Sequence, residues 1–167
     1  MSGRDGRFYG KYRATVSDNN DPLQIGRIKA DIVDLGESGW AMPCAPVAGS
    51  GMGMFALPPT GAGVWIEFEH GDPDYPIWTG CWWGSPADMP TDVLTPPQTG
   101  KLLLRTDGGT SILLDDTPGV GGITLQTSGG QKIVVSATSI EIDNGTGASI
   151  TLSGPQVSVN GGALEVT

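Results

Sequence analysis

Positive charge is scarce in this chain. It carries 9 Lys and Arg against 18 Asp and Glu, a net charge of −9. An acidic surface repels phosphate backbones, so nucleic acid is not an expected partner. Histidine is reduced to His70 and cysteine to Cys44 and Cys81. That is too few ligands for a zinc site of the usual kind, and no metal or other cofactor is expected. Two cysteines at this spacing specify no disulfide, and two thiols buried in a core are the simpler expectation. Helical periodicity is missing over any stretch of about ten residues. No apolar run approaches the roughly 18 residues of a membrane span. Residues 1–11 are polar, without the apolar centre of a signal peptide, so a soluble protein made in a cytoplasm is expected.

Catalytic patterns are lacking too. The stretch Gly49-Ser50-Gly51-Met52-Gly53 has no Gly-Lys-Ser/Thr ending and no helix after it, so it is not a phosphate loop. His70 has no serine or cysteine motif to partner it and reads as a solvated turn residue. Glu67 and Glu69 share one face of one strand, whereas a glycosidase needs its carboxylates across a cleft. Asp72 with Asp74, and Asp115 with Asp116, match no calcium motif and read as turn caps. No enzyme is expected.

What is present is glycine (27 residues), proline (13) and many β-branched side chains, the composition of short strands and frequent turns. The distribution is uneven. Every aromatic lies at or before Trp83, and both cysteines, the histidine and every methionine lie at or before Met89. Residues 84–100 hold Pro86, Pro90, Pro96 and Pro97 and read as a linker. Three parts follow: residues 1–83, a linker over 84–100, and residues 101–167.

The first part contains five expected strands, at residues 8–16, 26–33, 39–43, 63–69 and 75–83, with a long Gly-rich loop over 48–61. Gly71-Asp72-Pro73-Asp74 is a tight turn. Five short strands of this kind fit a small closed barrel such as an OB-fold, whose closure removes exposed edges. Met52, Met54 and Phe55 on the Gly-rich loop suggest an interface.

In the last part, apolar residues recur two apart: Ile112 and Leu114, Ile123 and Leu125, Ile133 and Val135, Ile140 and Ile142, Ile150 and Leu152, Val157 and Val159, Leu164 and Val166. Turn formers such as Asp107-Gly108-Gly109, Asn144-Gly145 and Asn160-Gly161-Gly162 separate them. Each strand has one aliphatic and one polar face. A single thin ladder of such strands would leave its aliphatic face wet. The repeats are too short for a full turn of a single-chain solenoid, which takes about twenty residues or more. Each can supply one side of a triangular cross-section. The expectation is an intertwined trimeric β-helix, with Ile112 through Val159 of these pairs on a shared axis too narrow for aromatic rings.

The first part resembles the baseplate assembly protein V family of contractile phage tails, and is similar to the OB-fold of the valine-glycine repeat spike proteins of type VI secretion. The resemblance rests on Gly26-Arg27-Ile28-Lys29-Ala30, on Trp40-Ala41-Met42-Pro43-Cys44-Ala45, and on the Gly-rich loop over 49–54. Leu57-Pro58-Pro59 with residues 61–68, and Gly71-Asp72-Pro73-Asp74-Tyr75-Pro76, complete it. No single piece is specific; their order over residues 8–83 is.

The resemblance implies an all-β protein, an N-terminal OB-fold barrel followed by a trimeric needle at the centre of a baseplate. Such a homotrimer punctures a target cell envelope, touching the membrane transiently. It joins a hub or tube protein at the barrel end and a small conical tip protein at the other. A virion tail, or a related injection particle, assembled in a bacterial cytoplasm is its implied location. Some family spikes carry a lysozyme domain, for which there is no room after the linker here. Others end in a His-x-His iron site, which this sequence lacks. The last residues, Leu164, Val166 and Thr167, are expected to present open strand edges on which a tip protein docks. The competing reading is a glycan-binding OB-fold module on an elongated stalk.

Overall fold

Ala14 and Val16 alternate with Arg13, Thr15 and Ser17, and this period of two makes Tyr12–Asp18 a strand with one buried face. The computed structural model describes residues 6–94, 96 and 99–166. The chain divides into two units, Met1–Asp88 and Met89–Thr167, and the division falls inside the Pro-rich stretch.

Unit 1 contains β1 (Tyr12–Asp18), β2 (Lys29–Ile32), β3 (Gly36–Glu37), β4 (Met42–Pro43), β5 (Ala48–Gly49), β6 (Met52–Gly53), β7 (Gly63–Phe68) and β8 (Pro76–Trp82). Six of these form one sheet in the order β3-β2-β1-β7-β8-β4. All its pairs are antiparallel except β4 with β8. Ala14, Val16, Ile28, Ala30, Ile32, Ala41, Val64 and Ile66 make the core. The closed barrel expected from the strand count is not found. The ladder order is open, and what joins its two sides is one reciprocal backbone pair, Ile28 N–H to Ala41 O at 3.2 Å and Ala41 N–H to Ile28 O at 2.7 Å. The reason is length: β4 has two residues, too few for a ladder on both edges.

Two side-chain arrangements fix this unit. Buried Asp21 folds the loop that leads into β2. Its Oδ1 accepts the Leu23 N–H at 3.0 Å and the Arg27 guanidinium at 3.0 and 2.6 Å. Its Oδ2 accepts the backbone N–H groups of Ile25 and Arg27 at 3.0 and 3.2 Å. The Arg27 hydrogen bonds, aided by the backbone N–H donors, hold the Asp21 carboxyl far below the usual carboxylate range, against the opposing effect of burial. On the sheet, the Arg13 guanidinium lies over both Trp65 (5.5 Å) and Trp82 (5.2 Å). Trp82 covers Gly63 so closely that a Cβ there would stand 2.6 Å from its ring, which is why the residue is glycine.

Two expectations are corrected. Cys44 and Cys81 are free and exposed, not buried in a core. Cys44 stands just past the end of β4, where its N–H bonds Trp78 O at 3.0 Å, so it is outside the core the sheet encloses. The Gly-rich loop is not loop throughout: it contains the β5–β6 hairpin, paired Ala48 to Gly53 and Gly49 to Met52. The turn readings agree with the structure. His70 is exposed in the 3₁₀ turn Glu69–Gly71, and Asp72 Oδ1 accepts the Asp74 N–H at 3.1 Å.

Unit 2 contains β9 (Lys101–Arg105), β10 (Ser111–Asp115), β11 (Gly122–Gln126), β12 (Lys132–Ser136), β13 (Ser139–Asp143), β14 (Ser149–Ser153), β15 (Gln156–Val159) and β16 (Leu164–Val166). They form one eight-stranded antiparallel meander in strict chain order. The connections dictate this. Only residues 137–138 separate β12 from β13, and only 154–155 separate β14 from β15. Links so short can join only antiparallel neighbours. The five-residue links close on themselves, with Thr106 N–H bonding Thr110 O at 2.9 Å and Thr127 N–H bonding Gln131 O at 2.9 Å. Gly109 and Gly130 supply the positive φ these turns need, at 94° and 89°. The ladders therefore run within one chain. That differs from the expected intertwining, in which strands of different chains would pair.

Candidate functional site

The meander aligns the aliphatic residues into two continuous files on one face. Across β9 to β15, one file runs Leu102, Leu114, Ile123, Val135, Ile140, Leu152 and Val157, and Val166 of β16 stands in register with Val157. The other runs Leu104, Ile112, Leu125, Ile133, Ile142, Ile150, Val159, Leu164. Thirteen of these side chains keep between 38% and 60% of their surface in water. Full burial of such a side chain is worth about 1.5–3 kcal/mol, so the half left wet amounts to on the order of 10 kcal/mol per chain. A contiguous aliphatic face of this extent is not a feature of stable monomers.

The opposite face is of another kind. Its central file begins with Leu103 and Leu113 and continues Thr124, Val134, Glu141, Thr151 and Ser158. Two ion pairs lie on this face: Lys101 with Asp115 at 3.7 Å beside the file, and Lys132 with Glu141 of the file at 3.5 Å. The Thr117 hydroxyl and backbone N–H bond Asp115 Oδ1 at 2.5 and 2.9 Å. Those bonds, with Lys101 adding to them, lower the Asp115 pKa below its ordinary value against the effect of desolvation. Asp92 pairs with Arg105, tying the 3₁₀ turn Thr91–Val93 to β9.

All twelve residues from Ile112 to Val159 singled out in the sequence lie on the aliphatic face, and adjacent strands align them in register. Leu164 joins them on β16, an outermost strand paired only with β15. Val166 is in β16 as well, while Thr167 lies outside the described residues. Met52, Met54 and Phe55 are on or just after β6 and strongly exposed. The sequence reading missed Leu102 and Leu104, because Leu102-Leu103-Leu104 shows no alternation. It also missed Asp21, whose signal is an acid six residues before Arg27 in a turn-rich stretch.

Unit 1 has a shallow depression lined by Arg7, Tyr9, Glu69, His70, Asp72 and Tyr75. Arg7 is committed there to the His70 carbonyl at 2.7 Å. Among the described residues no three His, Cys, Asp or Glu side chains gather as metal ligands.

Comparison with known proteins assigns both units. Residues 12–83 match the family model described as type VI secretion system/phage-baseplate injector OB domain. Residues 101–165 match the phage baseplate V C-terminal trimerisation domain. No curated protein matches the chain. The first match covers the core sheet with Asp21 and Arg27; the second covers the aliphatic face from Leu102 to Leu164. Together the two matches span most of the chain, and they place both segments in the phage baseplate V family of phage-tail and type VI injectors.

Proposed function

We propose that the protein is the homotrimeric central spike of a contractile injection machine, and that it pierces the target envelope mechanically. The observation that carries this is the uncovered aliphatic face of β9–β16, on the segment matched by a trimerisation domain. Three copies bury it by turning their files toward one axis. Because each chain pairs its own strands, the copies meet as three faces of a prism joined by side chains, a departure from interwoven ladders. The trimer is the rigid element, and its work needs no catalytic group.

The partners follow the same reading. A hub or tube protein takes the unit 1 end. A tip protein adds to the free edge of β16, next to Leu164. Membrane contact is brief and occurs on contraction. Light scattering at micromolar concentration tests the core of the proposal: a mass of three chains is expected, and a monomer overturns it.

A further inference from the structure

Charge is absent from one long stretch. Between Glu37 and Glu67 there is no Asp, Glu, Lys, Arg or His, in a chain with 27 Asp, Glu, Lys and Arg among 167 residues. This stretch carries the most exposed apolar group of unit 1: Met52 at 63%, Met54 at 60% and Phe55 at 77%. The group has a built base. A side chain at Gly26 would meet the Phe55 ring at 3.2 Å and Pro43 at 3.7 Å, so ring, proline and the Asp21 loop are stacked together. Ile25, Met42 and Val47 extend the patch, all exposed. The Met54 N–H bonds Val47 O at 3.0 Å, which holds the hairpin strands in place. Methionine and aromatic side chains without charge are the composition of an interface centre.

We infer that this patch packs against unit 1 of another copy of the same chain, an inference that rests on the homotrimer proposed above. Charge selects that occupant. Residues 1–88 contain 6 Lys and Arg against 11 Asp and Glu, so each copy of unit 1 has a net charge of −5. Like charges apposed across an interface destabilise it. A surface free of charge is where three acidic copies approach without that repulsion. The tether enforces the approach. Only residues 89–100 lie between unit 1 and β9. Twelve residues reach about 40 Å at most, so a trimer formed through unit 2 keeps its three copies of unit 1 at roughly millimolar effective concentration. At that concentration even a weak apolar contact is occupied.

Photo-crosslinking in the full-length protein tests this. Photo-methionine protein is co-assembled with heavy-isotope copies, checked by light scattering and irradiated. Crosslinks from Met52 or Met54 of one copy to residues 38–66 of another are expected. The Phe55→Asp variant should lose them several-fold while keeping the trimer mass. In a sample that scatters as a trimer, crosslinks confined to one copy, or directed to unit 2, overturn the inference and leave the trimer standing. So does a patch that crosslinks only to an added baseplate protein. A sample that scatters as a monomer removes both readings.

Discussion

Replacing Ile142 by alanine tests which face of the unit 2 sheet assembles. Ile142 stands in the middle of its file, opposite Ile133 on β12 and Ile150 on β14, and remains 45% exposed in the single chain. About half of its burial is thus left to be gained on assembly, roughly 0.7–1.4 kcal/mol of the 1.5–3 kcal/mol for a whole side chain. A trimer contains the residue three times at one level of the axis, so the loss is about 2–4 kcal/mol per trimer before any cavity penalty is added. That corresponds to roughly a 30- to 1,000-fold rise in the dissociation constant. Sedimentation equilibrium across a dilution series, in urea if needed, reads it directly. Thr151→Ala is the matched control, since Thr151 lies on the opposite face of the neighbouring strand, across from Glu141. Ile142→Ala should weaken the trimer and Thr151→Ala should leave it unchanged. The reverse result would mean that the aliphatic files face something other than the chain's own copies.

Further outcomes follow from single contacts. Gly63→Ala drives a Cβ into the Trp82 ring at 2.6 Å; it should lower unit 1 stability by about 1–3 kcal/mol in thermal melts, with changed tryptophan fluorescence. Gly122→Ala places a Cβ 2.1 Å from Val135 O, a backbone atom that cannot swing aside; it should break the β11–β12 ladder and cost the trimer at least as much as Ile142→Ala. Asp21 gives a pH signature. Its folded pKa is depressed below the ordinary 3.8, so between the two values the unfolded chain binds the extra proton. The stability it confers is complete above about pH 5 and is lost as pH falls through that window. Asp21→Asn should melt lower at pH 7 and lose that acid dependence, as followed by tryptophan fluorescence.

The strand pattern of unit 2 was legible because aliphatic residues recur two apart from Ile112 and Leu114 through Val157 and Val159, with a polar residue between them in most strands, as at Thr124, Glu141, Thr151 and Ser158. Three consecutive leucines hid β9, since periodicity cannot say which of them face together. The pairing partner was not read from that pattern, although Ala137-Thr138 and Gly154-Pro155 are too short to return a chain any way but antiparallel. In unit 1 the long strands β1, β7 and β8 followed from alternation. Of the two-residue strands, β4 lies within the strand expected at 39–43, but β3, β5 and β6 were not read, because ladders that short are set by tertiary contacts. Asp21 was illegible for a related reason. A carboxylate followed by proline reads as a surface turn until Arg27 and three backbone N–H groups are seen to converge on it.

Each strand of the meander is hydrogen-bonded only to the strands before and after it. A pair of strands can therefore be added or deleted without breaking any other ladder, and an even number keeps both ends of the chain on the same side of the sheet. Each pair changes the sheet by about 9.5 Å, twice the strand spacing. A single strand would reverse the chain's exit. Reach, in such a design, comes in fixed increments that a lineage can gain or lose one hairpin at a time.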